Sequence, residues 1–429
     1  MEQAGHGDAF FEDTLRIENS REWRRLQGIY QFDVGQGYEF ENRITHTVDV
    51  QNVGERIGRA LNLDRNSIDL IRAISAIHDI GHMPFGHWGE RAADAMLKPF
   101  GKTWTHDAAG LRVVTEWSNR GVSHEGMNLT LDTLEGLAKR YWRYNAAKPA
   151  DFFNHDLTEL PQSIKNIDQK FDLHLDKHNH IEGQIASIAD WIAFTTTDIE
   201  DGLRVGRMTV NEVCKHFPQA AKLHADTIAQ LREAGGKFKR EPDARQASLA
   251  KLFANQIKTM LINDVVQQTQ ANITREDAAG HIKTAEDVRH LEHLLTGYSP
   301  EMLQGVLQFG KYCSDKPFKR TLEAHGPLQQ MVEMTIQDIV EGKLALPPAW
   351  QASYDQTLRT ETSPDSKTTL TELACTYMTC VMDDKGVMDN IQRNHSEFWN
   401  QHFANRPEPS RISPASIAKA RHQTYNGRE

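Results

Sequence analysis

Apolar positions recur along this chain with the spacing of a helix face, and strand-like alternation is hard to find. Between Asn42 and Leu61, His46, Val50, Val53, Ile57 and Ala60 form a single stripe at the period of an α-helix. The stripe puts His46 on a buried face. The following stretch, IDLIRAISAIHD, predicts a second helix starting near Asn66 or Ser67, both good capping residues, with Ile71, Ile74, Ile77 and His78 turned inward. Gly81 and Pro84 then stop it. A third helix, EGQIASIADWIAFTTTDIEDGLR, begins with the small residues Gly183, Ala186 and Ser187, which permit close packing. It lines up Asp190, Phe194, Thr197 and Asp201 on one face, with Asp198 beside it. Further helices are expected over 126–144, 208–233, 244–270, 285–310 and 320–341.

The expected fold is therefore all-α. A Pro-containing break over 343–366, where SPDS marks a fresh helix start, divides a core of residues 1–342 from a C-terminal helical extension, 343–429. The tail after Asn405 is polar, basic and Pro-interrupted, and reads as flexible or as an oligomer arm.

Composition supports a folded chain and narrows its partners. With 429 residues, 39% hydrophobic and 25% charged, the sequence has the profile of one large domain or a core with an appendage. The opening MEQAGHGDAFFEDTLRIENS is acidic and lacks an apolar run, so neither a signal nor a transit peptide is expected there. No window approaches a membrane span. Four scattered cysteines, Cys214, Cys313, Cys375 and Cys380, do not make a disulfide framework; the reducing cytoplasm is the expected compartment, and Cys375 and Cys380 are expected to be plain helix residues. A net charge of −10 argues against a surface-wide nucleic-acid platform. An anionic substrate must be drawn in locally, by a metal ion or by a few basic side chains.

The densest chemistry lies in HDIGHMPFGH, residues 78–87. His78 and Asp79 at one helix end, inward His46 on another helix and inward Asp190 on a third make a set of two histidines and two carboxylates. Such N and O donors suit a divalent ion of the Mn, Fe, Co, Ni or Zn group, with water completing the shell. A lone histidine on an apolar face is ordinarily a core residue with a satisfied hydrogen bond. Four such groups on three helices are harder to explain by burial.

The order His, His-Asp, Asp is similar to that of the HD phosphohydrolase superfamily. The segments DTLRIENSREWRRLQG, RITHTVDV, HDIGHMPFGHWGE, WTHDAAGLRV, GMNLTLDTLEGLAKR and EGQIASIADWIAFTTTDIEDGLR resemble, in order, those of the dGTP triphosphohydrolases, covering about residues 10–207. The resemblance implies an HD-domain helical core. It also implies hydrolysis of a deoxynucleoside triphosphate, dGTP or another, between the sugar 5' oxygen and the α-phosphorus, giving deoxynucleoside and intact triphosphate. His46, His78, Asp79 and Asp190 match the ligands of the divalent ion, Mn or Mg, with Fe, Co, Ni or Zn as other choices. His82 matches a loop histidine that approaches the α-phosphate or sugar. His87 and Glu90 match the pair that orients or deprotonates the attacking water, and His106 a second catalytic histidine. Either His82 or His106 can protonate the departing ester oxygen.

Arg43 matches an arginine that contacts the triphosphate, and Asp198 the partner of the sugar 3'-hydroxyl. Family members usually carry Tyr where this chain has Phe194, which keeps the ring and loses a hydrogen bond of about 1 kcal/mol. Beyond residue 207 the match fades. Lys311, Tyr312, Lys316, Lys319 and Arg320 form a basic and aromatic cluster that either reaches the β and γ phosphates or is a solvated helix face. The family further implies a homo-oligomer, tetramer or hexamer, with single-stranded nucleic acid as a candidate effector.

Two other readings stand beside this one. An HD phosphodiesterase or nucleotidase would act on another nucleotide, but cyclic-dinucleotide members typically read His-Asp-Ile-Gly-Lys, and position 82 here is His. A non-catalytic HD scaffold would only bind nucleotide or single-stranded nucleic acid, against which every catalytic position is filled.

Overall fold

A computed structural model describes residues 9–30, 42–118, 126–140, 162–175, 177–235, 242–316, 326–360 and 365–403. Among them every extended element is helical, with one isolated antiparallel bridge between Tyr30 and Asn42. Helix α1 (Ala9–Asn19) precedes α2 (Arg43–Ala60), which opens with a reciprocal cap: Asn42 accepts the Thr45 N–H and Thr45 accepts the Asn42 N–H. His46, Val50, Val53 and Ile57 are buried as their stripe requires; Ala60 is exposed, because the chain turns away at Leu61. Helix α3 (Arg65–Ile77) is capped by Asp64, which accepts the Ser67 N–H at 2.8 Å, rather than by Asn66 or Ser67. A carboxylate at that end also suits the helix dipole. Its inward residues Ile71, Ile74 and Ile77 are fully buried.

Helices α4 (His87–Leu97), α5 (His106–Arg112), α6 (Leu131–Ala138) and α7 (Ile181–Arg204) follow. The helix expected from 126 begins only at Leu131, where Thr130 caps it, and 141–161 lie outside the described residues. The stretch 208–233 is two helices, α8 (Val210–His216) and α9 (Ala220–Gly235), because Pro218 cannot continue the first. Helix α10 (Pro242–Ala278) outruns its expected length. The expected helix over 285–310 is broken. Ala285–His290 is a 3-10 turn, and α11 (Pro300–Asp315) starts afresh with Ser299 as cap and Pro300 in the first turn. Helices α12 (Gly326–Val340), α13 (Pro348–Thr360), α14 (Asp365–Val381) and α15 (Asp384–Asn394) complete the described helices used below. Cys375 and Cys380 are buried free thiols within α14. The tail after Asn405 lies outside the described residues.

Two apolar clusters flank the chemistry. In one, α2, α3 and α7 pack on one another and α10 lies along α7, through residues such as Val53, Ile57, Ile71, Ile188, Ile192 and Phe253. In the other, Ile77, Ile80, Met83 and Leu111 are buried with Met331 and Ile336 of α12 and Met378 of α14. Each such side chain contributes about 1.5–3 kcal/mol when fully buried. The segment carrying Ile80 and Met83 is therefore part of the core. No described helix is long and apolar enough to cross a membrane.

Gly81 explains its own place in the motif. A Cβ there would lie 2.0 Å from the His106 carbonyl oxygen and 2.3 Å from the Gly110 nitrogen, so only glycine lets the loop meet α5. Gly81→Ala is expected to cost about 1–3 kcal/mol or more through overpacking against backbone. Thermal unfolding of the variant checks this; an unchanged Tm contradicts it.

Candidate metal and catalytic site

Three helices deliver the first group of side chains. His46 lies one turn into α2, His78 and Asp79 follow the end of α3, and Asp190 sits in the middle of α7. Donor atoms of His46, His78 and Asp190 lie within 4.8 Å of one another. His46 Nε2 is 2.8 Å from Asp190 Oδ1, and His78 Nε2 is 3.6 Å from that oxygen and 3.2 Å from Asp79 Oδ1. The outer oxygens of both carboxylates are taken by arginines. Arg43 donates to Asp79 Oδ2 at 2.6 Å, and Arg140 donates to Asp190 Oδ2. Each aspartate thus keeps its inner oxygen turned towards the histidines.

The His78 ring shows what this arrangement fits. Its Nδ1–H donates to the Ser75 carbonyl at 2.7 Å, a tautomer assigned from that contact, which leaves a lone pair on Nε2. Nε2 is buried with no hydrogen-bond partner and faces two carboxylate oxygens. An acceptor aimed at acceptors in a buried site is unfavourable unless a cation lies between them. Burial pushes His78 down to about 4, with Asp79 only partly opposing, so the ring stays neutral. Burial would raise Asp79 and Asp190, but Arg43 and Arg140 respectively hold them well below the usual carboxylate range. The neutral His78 ring, the His46 ring beside it and two ionised carboxylates form a donor set that fits a divalent ion.

The second group adjoins the first through Asp79. His82 Nε2 lies 3.3 Å from Asp79 Oδ1, and its ring stacks on His106 with centroids 4.0 Å apart. Glu90 is buried, not an exposed helix carboxylate. One of its oxygens, Oε2, accepts from both His87 Nδ1 and His106 Nδ1 at 3.0 Å, while Oε1 accepts the His106 backbone N–H at 3.1 Å. Burial disfavours charge on His106, yet Asp107 and Glu90 outweigh it and lift the imidazole to about 9. His82 moves the other way, because burial and the nearby Arg43 and His106 favour its neutral form. Of the two histidines able to act as an acid, His106 is the one held protonated at neutral pH. The His87 side chain is 59% exposed, so one member of the group faces solvent.

The remaining residues singled out in the sequence are more dispersed. Phe194, one turn beyond Asp190 on α7, is 49% exposed. Asp198 is buried and accepts from the Cys313 thiol of α11, which burial and this carboxylate push upward. Tyr312 sits among His216 and Phe309 and donates to Glu212. Lys311 and Lys316 are exposed, and Lys319 and Arg320 lie outside the described residues. Arg140 is the side chain that sequence reasoning missed. It closes the GLAKR segment after α6 and is buried, and the signal was indirect: a buried Asp190 demands a counter-charge.

Comparison with known proteins agrees with this geometry. The HD domain family matches residues 43–195. A deoxyguanosinetriphosphate triphosphohydrolase-like protein of Brucella canis is 33% identical over 294 residues, covering 68% of this chain and 67% of the relative. Proteins of the same name from Agrobacterium fabrum, 33% identical over 74% of this chain and 70% of the relative, and from Bradyrhizobium diazoefficiens, 30% identical over 80% and 81%, extend the match. HD domains bind divalent metals, and the His/Asp cluster described above can hold one. The chain is a metal-dependent phosphohydrolase and belongs to the deoxyguanosinetriphosphate triphosphohydrolase-like family of HD-domain proteins.

Proposed function

We propose that this protein hydrolyses deoxynucleoside triphosphates, dGTP among them, to deoxynucleoside and triphosphate. The observation that carries the reading is the shared Glu90 carboxylate, which holds two histidines for proton transfer beside the His46, His78 and Asp190 centre. The names of the relatives support the substrate class. A divalent ion held by His46, His78, Asp79 and Asp190 would supply charge against the α-phosphate oxygens and lower the pKa of water.

The chain's own residues do the rest. His87 donates its Nδ1–H to Glu90, which leaves Nε2 as the acceptor for a proton of the attacking water. His106 carries its proton at neutral pH and gives it to the departing 5' oxygen; Asp107, 3.4 Å from Nε2, favours the cation. His82, neutral and stacked on His106, orders that ring at the phosphate. The family resemblance, rather than a contact within the chain, assigns the triphosphate to Arg43, Lys311 and Tyr312 and the sugar to Phe194 and Asp198.

Product analysis with each of the four dNTPs and GTP, with Mn²⁺ or Mg²⁺, tests the reading. Triphosphate and deoxynucleoside are expected; pyrophosphate or inorganic phosphate would assign the chain to phosphodiesterase or nucleotidase chemistry. Equal background rates for wild type, His46→Ala and His87→Ala would make it a binding scaffold. The acid role has a pH signature. Because His106 must be protonated and its pKa is raised to about 9, kcat is expected to hold through neutral pH and fall as pH rises through about 9. A kcat profile between pH 6 and 10 at saturating dGTP checks this, and a flat basic limb removes His106 from the role.

A further inference from the structure

The loop between α3 and α4 carries His82 and leads into His87 and Glu90, and two buried charges outside the metal and catalytic groups hold its backbone. Arg25, in the 3-10 turn Arg25–Gly28, is buried. Its guanidinium donates to the carbonyls of His82, of Ile80 at 3.5 Å and of Met382 at 2.8 Å. Asp384, the first residue of α15, is fully buried and accepts the backbone N–H of Phe85 at 2.5 Å and of Tyr30 at 3.1 Å. Phe85 has φ +59°, a left-handed conformation unfavourable for a bulky side chain, so its backbone persists only where the surroundings enforce it. Gly28 seals the same junction: a Cβ there would lie 2.4 Å from Asp383 Oδ2 and 2.7 Å from Asp383 Cβ. Burial raises the Asp384 carboxyl to about 7, and the N–H groups of Phe85 and Tyr30 and the Arg25 guanidinium oppose that rise.

We propose that Arg25 and Asp384 are positioning residues for the hydrolysis, clamping the backbone of residues 80–85 between the N-terminal turn and α15 so that His82, His87 and Glu90 are aimed. Neither touches the metal ligands' donor atoms or the imidazoles. The proposal rests on the activity assigned above, and a structural arm keeps it separable from that assignment. A merely stabilising contact would lower the folded fraction; a positioning contact lowers kcat in protein that is folded and metal-loaded.

The test uses full-length Asp384→Ala, Asp384→Asn and Gly28→Ala. Measurements are kcat and KM for triphosphate release from dGTP with Mn²⁺, Mn²⁺ bound per chain, and amide hydrogen exchange of the 80–87 segment. Asp384→Ala and Gly28→Ala are expected to lose about 10- to 100-fold in kcat, the scale of a small misplacement of catalytic groups, with KM and bound Mn²⁺ unchanged and exchange in 80–87 faster. Asp384→Asn keeps one oxygen for Phe85 and should fall between them and wild type. Unaltered exchange overturns the clamp. Faster exchange with wild-type kcat overturns the positioning role, as does a kcat loss equal to the loss of bound metal or of folded protein. If Asp384→Ala does not fold, Gly28→Ala and Asp384→Asn decide, since Gly28→Ala disturbs the junction from the side of Asp383. Wild type that releases no triphosphate from any dNTP defeats the assigned activity, and exchange then decides whether the clamp exists; an inactive wild type also overturns its role in hydrolysis.

Discussion

His78→Ala is expected to lower turnover by about a thousandfold or more while leaving the helices folded, because a bound cation supplies several kcal/mol of transition-state stabilisation. The residue contributes a neutral lone pair, not a charge. Its removal strands only the Ser75 carbonyl, at about 1 kcal/mol, and in metal-free protein it also takes away an acceptor that faces the oxygens of Asp79 and Asp190. The sharper readout is therefore metal-linked stability. Ligand binding to the folded state adds RT ln(1 + [L]/Kd), about 2.7 kcal/mol at a hundred times Kd. Wild-type Tm should climb on adding Mn²⁺ and the variant's should not. A variant that keeps both the Mn²⁺-dependent rise and its turnover would sink the assignment of His78 as a ligand.

Glu90→Gln is expected to cost about 10²- to 10⁴-fold in kcat, the range of general acid and base catalysis, because one carboxylate oxygen serves both His87 and His106. An amide cannot replace it: with its oxygen towards the two rings its NH₂ would oppose the His106 backbone N–H, and turned the other way it would oppose both rings. The charge matters as well. Glu90 is among the groups that raise His106, so its loss lowers that pKa and shifts the basic limb of kcat downward from about 9. The two histidines act as a unit with Glu90, so Glu90→Gln combined with His106→Gln should be scarcely slower than the slower single variant. Losses that multiply would show that the groups act independently.

How much of this could be read from the sequence follows from what periodicity encodes. His46 and His78 were legible because each occupies a position in an apolar stripe, whereas the expected helix over 208–233 passed over the interruption that Pro218 makes. Asp64 escaped notice because Asn66 and Ser67 are equally good caps, and sequence alone does not say which side chain meets the free N–H groups. The sharing of Glu90 between two histidines depends on how closely α4, α5 and the loop approach, and that approach depends on a missing Cβ at Gly81. Arg140, signalled only indirectly, and Asp384 were missed for a different reason. A single charge in a polar-looking stretch reads as solvated until the crossing of helices buries it against Asp190 or a backbone N–H.

The span of the loop contacts has a kinetic meaning. Arg25 reaches Met382 across 357 positions, and Asp384 reaches Phe85 across 299. Contacts this distant in sequence are slow to form, since chain closure must be met before they return anything. During synthesis the helices that carry His46, His78 and Asp190 can pack long before residue 384 leaves the ribosome. A nascent chain can thus bring His46, His78 and Asp190 together early, yet fix the backbone of residues 80–85 only after Met382 and Asp384 have emerged.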